Sequence, residues 1–327
     1  MYCVINEHNR KYEINLGNIV QILGLNFKSK EYIYKSFIKH FSLYKYQEYD
    51  EYMENNILID GEVPGRKEYR VVGIRNREEL IEQIRNNKNT IVYEYLSNVF
   101  NTLSCQKHIN LIDENLTNIF NIANEKLRNN VGDISIDYEM QNLLYIVSKS
   151  SVYTSQGEDL ETMSNYELLI ILLNLLKENN ALNPEKVILL LKDTDHLCSI
   201  GEYNKLIEHF LSCDRNIYIV TFISTDKYVY VNKELVQNVI VLNDVAFQVP
   251  NYDTIEDYLL NHYPLNREFS EVEIYDLLKC TLNTIGIENE TVSYKELLVK
   301  KLINKAICVN DNYNFSMTNS ELACLND

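Results

Sequence analysis

Apolar residues fall in two patterns along this chain. Residues 18–23, 187–191 and 216–222 are short, nearly unbroken apolar runs, the length of strands buried on both faces. Residues 32–40, 165–178 and 201–212 instead place apolar side chains at helical intervals. Strands are also predicted at 2–5, 11–16 and 238–242, and the alternation of strand and helix predicts an α/β fold with a mostly parallel sheet. The turn Val63-Pro64-Gly65, set between strand-like residues 56–60 and 68–74, predicts a hairpin, and a helix follows near 77–86. From 90 to 147 the pattern becomes helical, with Leu111, Leu116, Ile119, Phe120, Ala123 and Leu127 in register. The polar stretch 148–164 reads as a returning loop. Beyond Pro250, helix starts are predicted at 254–257 and 270–273, an amphipathic run at 292–307 and a fraying polar end at 310–327. The expected organisation is an α/β head of residues 1–90 and 148–250, a helical insertion at 91–147 and a helical C-terminal extension at 251–327.

Composition narrows this picture. With 327 residues, 46% of them hydrophobic, the chain can bury a large core. No apolar run approaches the length of a membrane span and the start lacks a signal-peptide pattern, so a cytoplasmic protein is expected. Seven cysteines without C-x-x-C spacing point to free thiols, several of them buried. His8, His40, His108, His209 and His262 stand isolated in the sequence.

Charge is distributed unevenly. Residues 1–100 hold 14 Lys/Arg and 14 Asp/Glu, and residues 101–327 hold 17 and 33, so the latter part carries the whole net charge of −16. The N-terminal part is therefore the candidate for an anionic partner. At about 100° per residue on a helix, Lys28, Lys35 and Lys39 project to one side, and Ile33, Phe37 and Phe41 to the other. A solvated helix face explains the same stripe. Arg66, Lys67 and Arg70 form a second cationic group beside the Pro64-Gly65 turn.

Three segments look like eroded chemistry. Residues 24–31 follow a buried strand and precede a helix, the context of the phosphate-binding loop G-x-x-x-x-G-K-[ST]. Gly24 and Lys30 remain, but Ser29 replaces the second glycine and Glu31 the metal-holding hydroxyl. Residues 187–191 resemble a Walker B strand without its Asp-Glu pair, leading into Lys192, Asp193 and Asp195. Residues 163–167 stand where ABC-type ATPases carry their signature, although Ser164 with Glu167 also has the form of a capping box.

An ABC-like head with these eroded segments, a helical insertion and a cationic N-terminal part resembles the Csn-two family of CRISPR-associated adaptation proteins from type II-A systems, in its longer branch. The resemblance covers roughly residues 1–250. It implies a ring-shaped homotetramer whose lysine-lined hole takes ends of linear double-stranded DNA. Such a protein assists spacer acquisition in bacterial antiviral defence, beside the integrase pair and the effector nuclease, without acting as an ATPase. It also implies calcium, which stabilises the ring in shorter members. The residues expected at DNA are Lys28, Lys35, Lys39, Arg66, Lys67 and Arg70; Gly24, Ser29, Lys30 and Asp193 mark the vestigial nucleotide site. Three alternatives stay open: an NTPase with Lys30 on phosphate and Asp193 or Asp195 on metal, an interaction protein that uses its acidic part, and a hydrolase centred on Asp193, Asp195 and His196.

Overall fold

The computed structural model describes residues 1–8, 10–42, 45–132, 134–137, 150–212, 216–243, 246–263, 268–287 and 294–306. The chain opens with β1 (Tyr2–Glu7), β2 (Arg10–Asn15) and β3 (Ile19–Leu23), then α1 (Phe27–His40), β4 (Ile57–Ile59) and β5 (Arg70–Ile74). Helices α2 (Arg77–Ile84), α3 (Ile91–Phe100), α4 (Leu103–Asn130) and α5 (Asn165–Leu182) follow. Next come β6 (Val187–Leu191), α6 (Thr194–Leu197), α7 (Ile200–Leu211), β7 (Ile217–Phe222), β8 (Val239–Leu242) and β9 (Ala246–Gln248). Helices α8 (Tyr252–His262), α9 (Glu271–Thr281) and α10 (Tyr294–Ala306) complete the described residues. Two compact units result, one of Met1–Arg77 with Glu185–Asp327 and one of Glu78–Pro184.

The first unit is built on a six-stranded sheet of order β5-β6-β7-β3-β8-β9, parallel except for β9. Every residue of β3 and β6 is buried, as their unbroken or nearly unbroken apolar runs require. One face turns Val20, Ile22, Leu190, Val220 and Phe222 toward Ile33 and Phe37 of α1 and toward the small sheet β2-β1-β4. On the other face, Leu23, Val239 and Val241 share a core with Ile255, Leu259, Leu278 and Leu302 of the C-terminal helices. One buried polar residue interrupts β3. Gln21 donates from Nε2 to the Tyr230 carbonyl at 2.8 Å, and its Oε1 accepts from the Tyr230 amide at 2.8 Å and the Tyr203 hydroxyl at 3.2 Å.

Three local expectations are corrected by the structure. The predicted hairpin does not form, because β4 pairs with β1 and β5 with β6, in different sheets. The apolar residues of β5 serve a parallel sheet better than an exposed hairpin arm. Helix α1 starts at Phe27 and not near residue 32, since Asn26 caps it by accepting from the Ser29 amide at 3.0 Å. Likewise α8 is capped by Asn251, three residues ahead of Thr254, whereas Ser270 and Glu273 form the expected capping box on α9.

In the second unit, Thr90 caps α3, and Ser164 with Glu167 closes a capping box on α5. Asn179 of α5 donates to the Ile91 carbonyl at 3.2 Å and accepts from Asn98 at 3.2 Å. Helix α4 is different. Among its 28 residues none is buried, and Leu103, Leu111, Ile112, Ile119 and Ile122 are exposed. The helical expectation for 90–147 holds for α3 and α4, while residues 134–137 are not helical and 138–147 lie outside the described residues.

Substituting Gln21→Leu removes both hydrogen bonds to the half-buried Tyr230 backbone. It should cost about 2–3 kcal/mol of stability, read by urea denaturation.

Candidate nucleic-acid interface

The turn after β3 is only three residues long. Gly24 has φ +110°, and a Cβ there would lie 2.2 Å from the Leu242 carbonyl oxygen, so only glycine fits. The amides that a phosphate loop would aim at its ligand are taken. Leu25 N–H donates to Asn243 Oδ1 at 2.7 Å, Asn26 N–H to the Leu242 carbonyl at 2.9 Å, and Ser29 N–H to Asn26 Oδ1 at 3.0 Å. Because α1 begins at Phe27, five residues of the motif (Phe27 to Glu31) are already helical. An open pocket of about 490 Å³, lined by Leu25, Asn26, Phe27, Lys28, Asn243 and Ile287, lies beside the turn.

The motif's side chains are engaged as well. Ser29 Oγ lies 2.8 Å from the Tyr12 hydroxyl. Lys30 is buried and donates to the Ile223 carbonyl at the end of β7, at 2.6 Å. Burial pushes its ammonium down to about 8, against the pull of Asp195 and Asp193. Asp193 takes the left-handed conformation (φ 48°) at the N-terminus of α6. Asp195 Oδ2 accepts from the Ser224 amide at 3.1 Å and the Thr225 hydroxyl at 3.2 Å. Its other oxygen, Oδ1, is buried with no hydrogen-bond partner among the described residues. His196 is exposed. Among the described residues no three His, Cys, Asp or Glu side chains gather to hold a metal ion, so the implied calcium finds no matching ligand set there.

The cationic residues are distributed unevenly. Lys28 and Lys35 are exposed on α1, and Lys35 pairs with Glu31 one turn earlier, at 3.2 Å. Lys39 is half-buried and pairs with the buried Asp50. Arg66 lies over the Tyr46 ring at 4.9 Å, Lys67 is exposed, and Arg70 is half-buried at the start of β5 with Glu185 nearby. The α1 lysines thus share one face, and the second group is not a uniform cationic surface. Two cations went unnoticed in the sequence. Lys192 bonds Glu31 from the end of β6 at 2.5 Å, and Arg75, just past β5, lies 5.8 Å from the Tyr34 ring. Both follow the carboxyl ends of parallel strands, where open α/β sheets place their ligands. That position was the available signal.

Comparison with known proteins now decides the family. The family described as CRISPR-associated protein Csn2, subfamily St, matches residues 4–319. The chain belongs to this Csn2 family. Among solved structures it is similar to Stu0660 of Streptococcus thermophilus, at TM-score 0.84 and 20% identity, over 99% of this chain and 98% of that one. That likeness shows that the two chains share a fold. An Smc head bound to the C-terminal winged-helix domain of ScpA gives TM-score 0.40 at 12% identity, over 76% of this chain and 97% of that one. A bacterial Atm1-family ABC exporter with ATP bound gives 0.36 at 13%, over 81% and 41%. Neither score bears on the ABC-like reading of the head. No curated protein matches the sequence. No described helix is long and apolar enough to cross a membrane.

The Lys30 environment predicts a pH dependence. Its folded value near 8 lies below the ordinary lysine value, so the unfolded chain binds more protons between the two. Stability should rise as pH climbs from about 8 toward 10.4, by on the order of 2–3 kcal/mol. Lys30→Met should flatten that rise in denaturation curves taken across the range.

Proposed function

We propose that this CRISPR-associated protein binds linear double-stranded DNA without reading its sequence, as a ring of identical subunits, and hydrolyses no nucleotide. The observation that carries the reading is the α1 lysine stripe. On a chain of net charge −16, DNA is repelled by most of the surface, and a concentrated cationic lining is the place where it can settle. Lysines on a helix face meet phosphates and carry no base code, so binding would be indifferent to sequence.

Helix α4 supports assembly. A 28-residue helix that buries nothing while exposing Leu111, Ile112, Ile119 and Ile122 has an apolar side to offer another subunit. A homotetrameric ring closed in this way would load at DNA ends. Its role would be spacer acquisition in a type II-A system, beside the integrase pair and the effector nuclease. Calcium that stabilises the ring, as the family resemblance implies, belongs to this proposal as an untested partner whose ligands are not assigned. The NTPase reading loses ground because the turn amides are bonded internally and Lys30 is directed to Ile223. Protein interaction without DNA is left as an outcome of the test.

Gel shifts with one duplex sequence supplied as a linear fragment and as a closed circle, over a salt series, test the ring. Binding to the linear form alone, falling steeply with salt, is expected. Equal binding to both would remove the closed ring, and binding to neither would leave the interaction reading. Replacing Lys28→Glu together with Lys35→Glu should cut DNA affinity at least tenfold, on the order of 1.4 kcal/mol or more. Lys39 is spared in that variant, because Asp50 would be orphaned. The oligomer, followed by light scattering, should be unchanged.

A further inference from the structure

Glu31 lies among cations at the carboxyl ends of β5 and β6. Its two carboxylate oxygens are held separately: Oε2 accepts from Lys192 Nζ at 2.5 Å, and Oε1 faces Lys35 Nζ at 3.2 Å. The Lys192 ammonium lies 6.0 Å from the centre of the Tyr34 ring, and the Arg75 guanidinium 5.8 Å from the same ring. Two cations thus hold one carboxylate, and Arg75 stands against the same ring as Lys192. Glu31 also occupies the motif position where a phosphate loop carries a hydroxyl.

Two ammonium groups placed to grip the two oxygens of one anion also suit the two non-bridging oxygens of a phosphodiester. The seat is reachable from solvent, with 55% of the Lys35 side chain exposed against 31% for Glu31 and 24% for Lys192. No backbone group competes for the carboxylate among the described contacts, and a glutamate side chain can rotate away from its helix. Partial burial works to raise the Glu31 carboxyl, but the bonds from Lys192 and Lys35 outweigh it and hold the group below its ordinary value. It is therefore ionised at neutral pH and acts as a standing anion.

We propose that Lys35 and Lys192 form the seat for one DNA phosphate, and that Glu31 fills this seat in the free protein as a built-in competitor. The inference rests on the DNA-binding reading and deepens it. It adds Lys192, from the acidic part of the chain, to the DNA contacts. It also makes each binding event an exchange of one anion for another, so affinity is held down by the protein itself. A threaded duplex would then be gripped loosely enough to move.

Fluorescence anisotropy with a linear duplex across a salt series, on the full chain, tests the exchange. Glu31→Gln should bind about three- to tenfold tighter than the wild type, with the salt slope steeper by about one unit for the extra phosphate engaged. Glu31→Ala should do the same, and thermal melting checks that both variants are folded. Adding Lys192→Ala to Glu31→Gln should remove the gain. Wild-type affinity in both Glu31 variants would overturn the proposal and leave the DNA reading standing. Weaker binding in both would overturn it too, since Glu31 would then be orienting the lysines. If the folded wild type and variants all fail to bind DNA at low salt, the DNA reading falls first and the proposal with it.

Discussion

The close approach of Gly24 to the backbone of Leu242 is the constraint on which the first unit depends. Neighbouring parallel strands β3 and β8 end there, and the turn that leads from β3 into α1 passes against the end of β8 with no room for a side chain. Once the chain is that near, the Asn26 amide meets the Leu242 carbonyl and the Leu25 amide meets the Asn243 side chain. Asn243 then donates onward to the Asn283 and Ile285 carbonyls at 3.0 and 2.6 Å, tying the turn to the C-terminal helices. Amides that a phosphate loop would leave open to a ligand are here used to hold strand, turn and helix together. The loss of an anion cradle and the gain of a joint are the same set of hydrogen bonds.

This explains why some of the fold was legible in the sequence and some was not. Buried strands such as β6, with Val187 to Leu191 all apolar, declare themselves by composition. The parallel sheet followed from their alternation with helices. The hairpin at Pro64-Gly65 failed because turn chemistry specifies a bend and says nothing about which strand each arm will join. The start of α1 was missed because Asn26, a capping residue, stood inside what read as a loop motif. Site residues were legible in the same uneven way. The α1 stripe follows from helical spacing, so Lys28, Lys35 and Lys39 could be grouped from the sequence alone. Their partners could not, since Asp50 reaches Lys39 from eleven residues away and Lys192 reaches Glu31 across 161.

Electrostatically, several of the molecule's cations are matched by its own carboxylates. Lys39 is matched by Asp50, Lys186 by Glu68 and Lys11 by Glu13. The exposed pairs Lys186–Glu68 and Lys11–Glu13 contribute little to stability, about 0–1 kcal/mol each. Their larger effect is on the surface potential, which they flatten wherever a lysine would otherwise stand out. Any anionic partner of such a surface meets cations that already have company, and recognition becomes a matter of displacement.

Gln21 has a consequence for strand alignment. A strand buried on both faces has no inside and outside to fix its position, and Ile19, Val20, Ile22 and Leu23 could trade places with little change in apolar contact. Its amide removes that freedom. It offers one donor and one acceptor to the Tyr230 backbone, as a neighbouring peptide unit would, and only one position along β3 meets them. A single polar side chain in the centre of the sheet thus serves as the key that sets the register of its central strand.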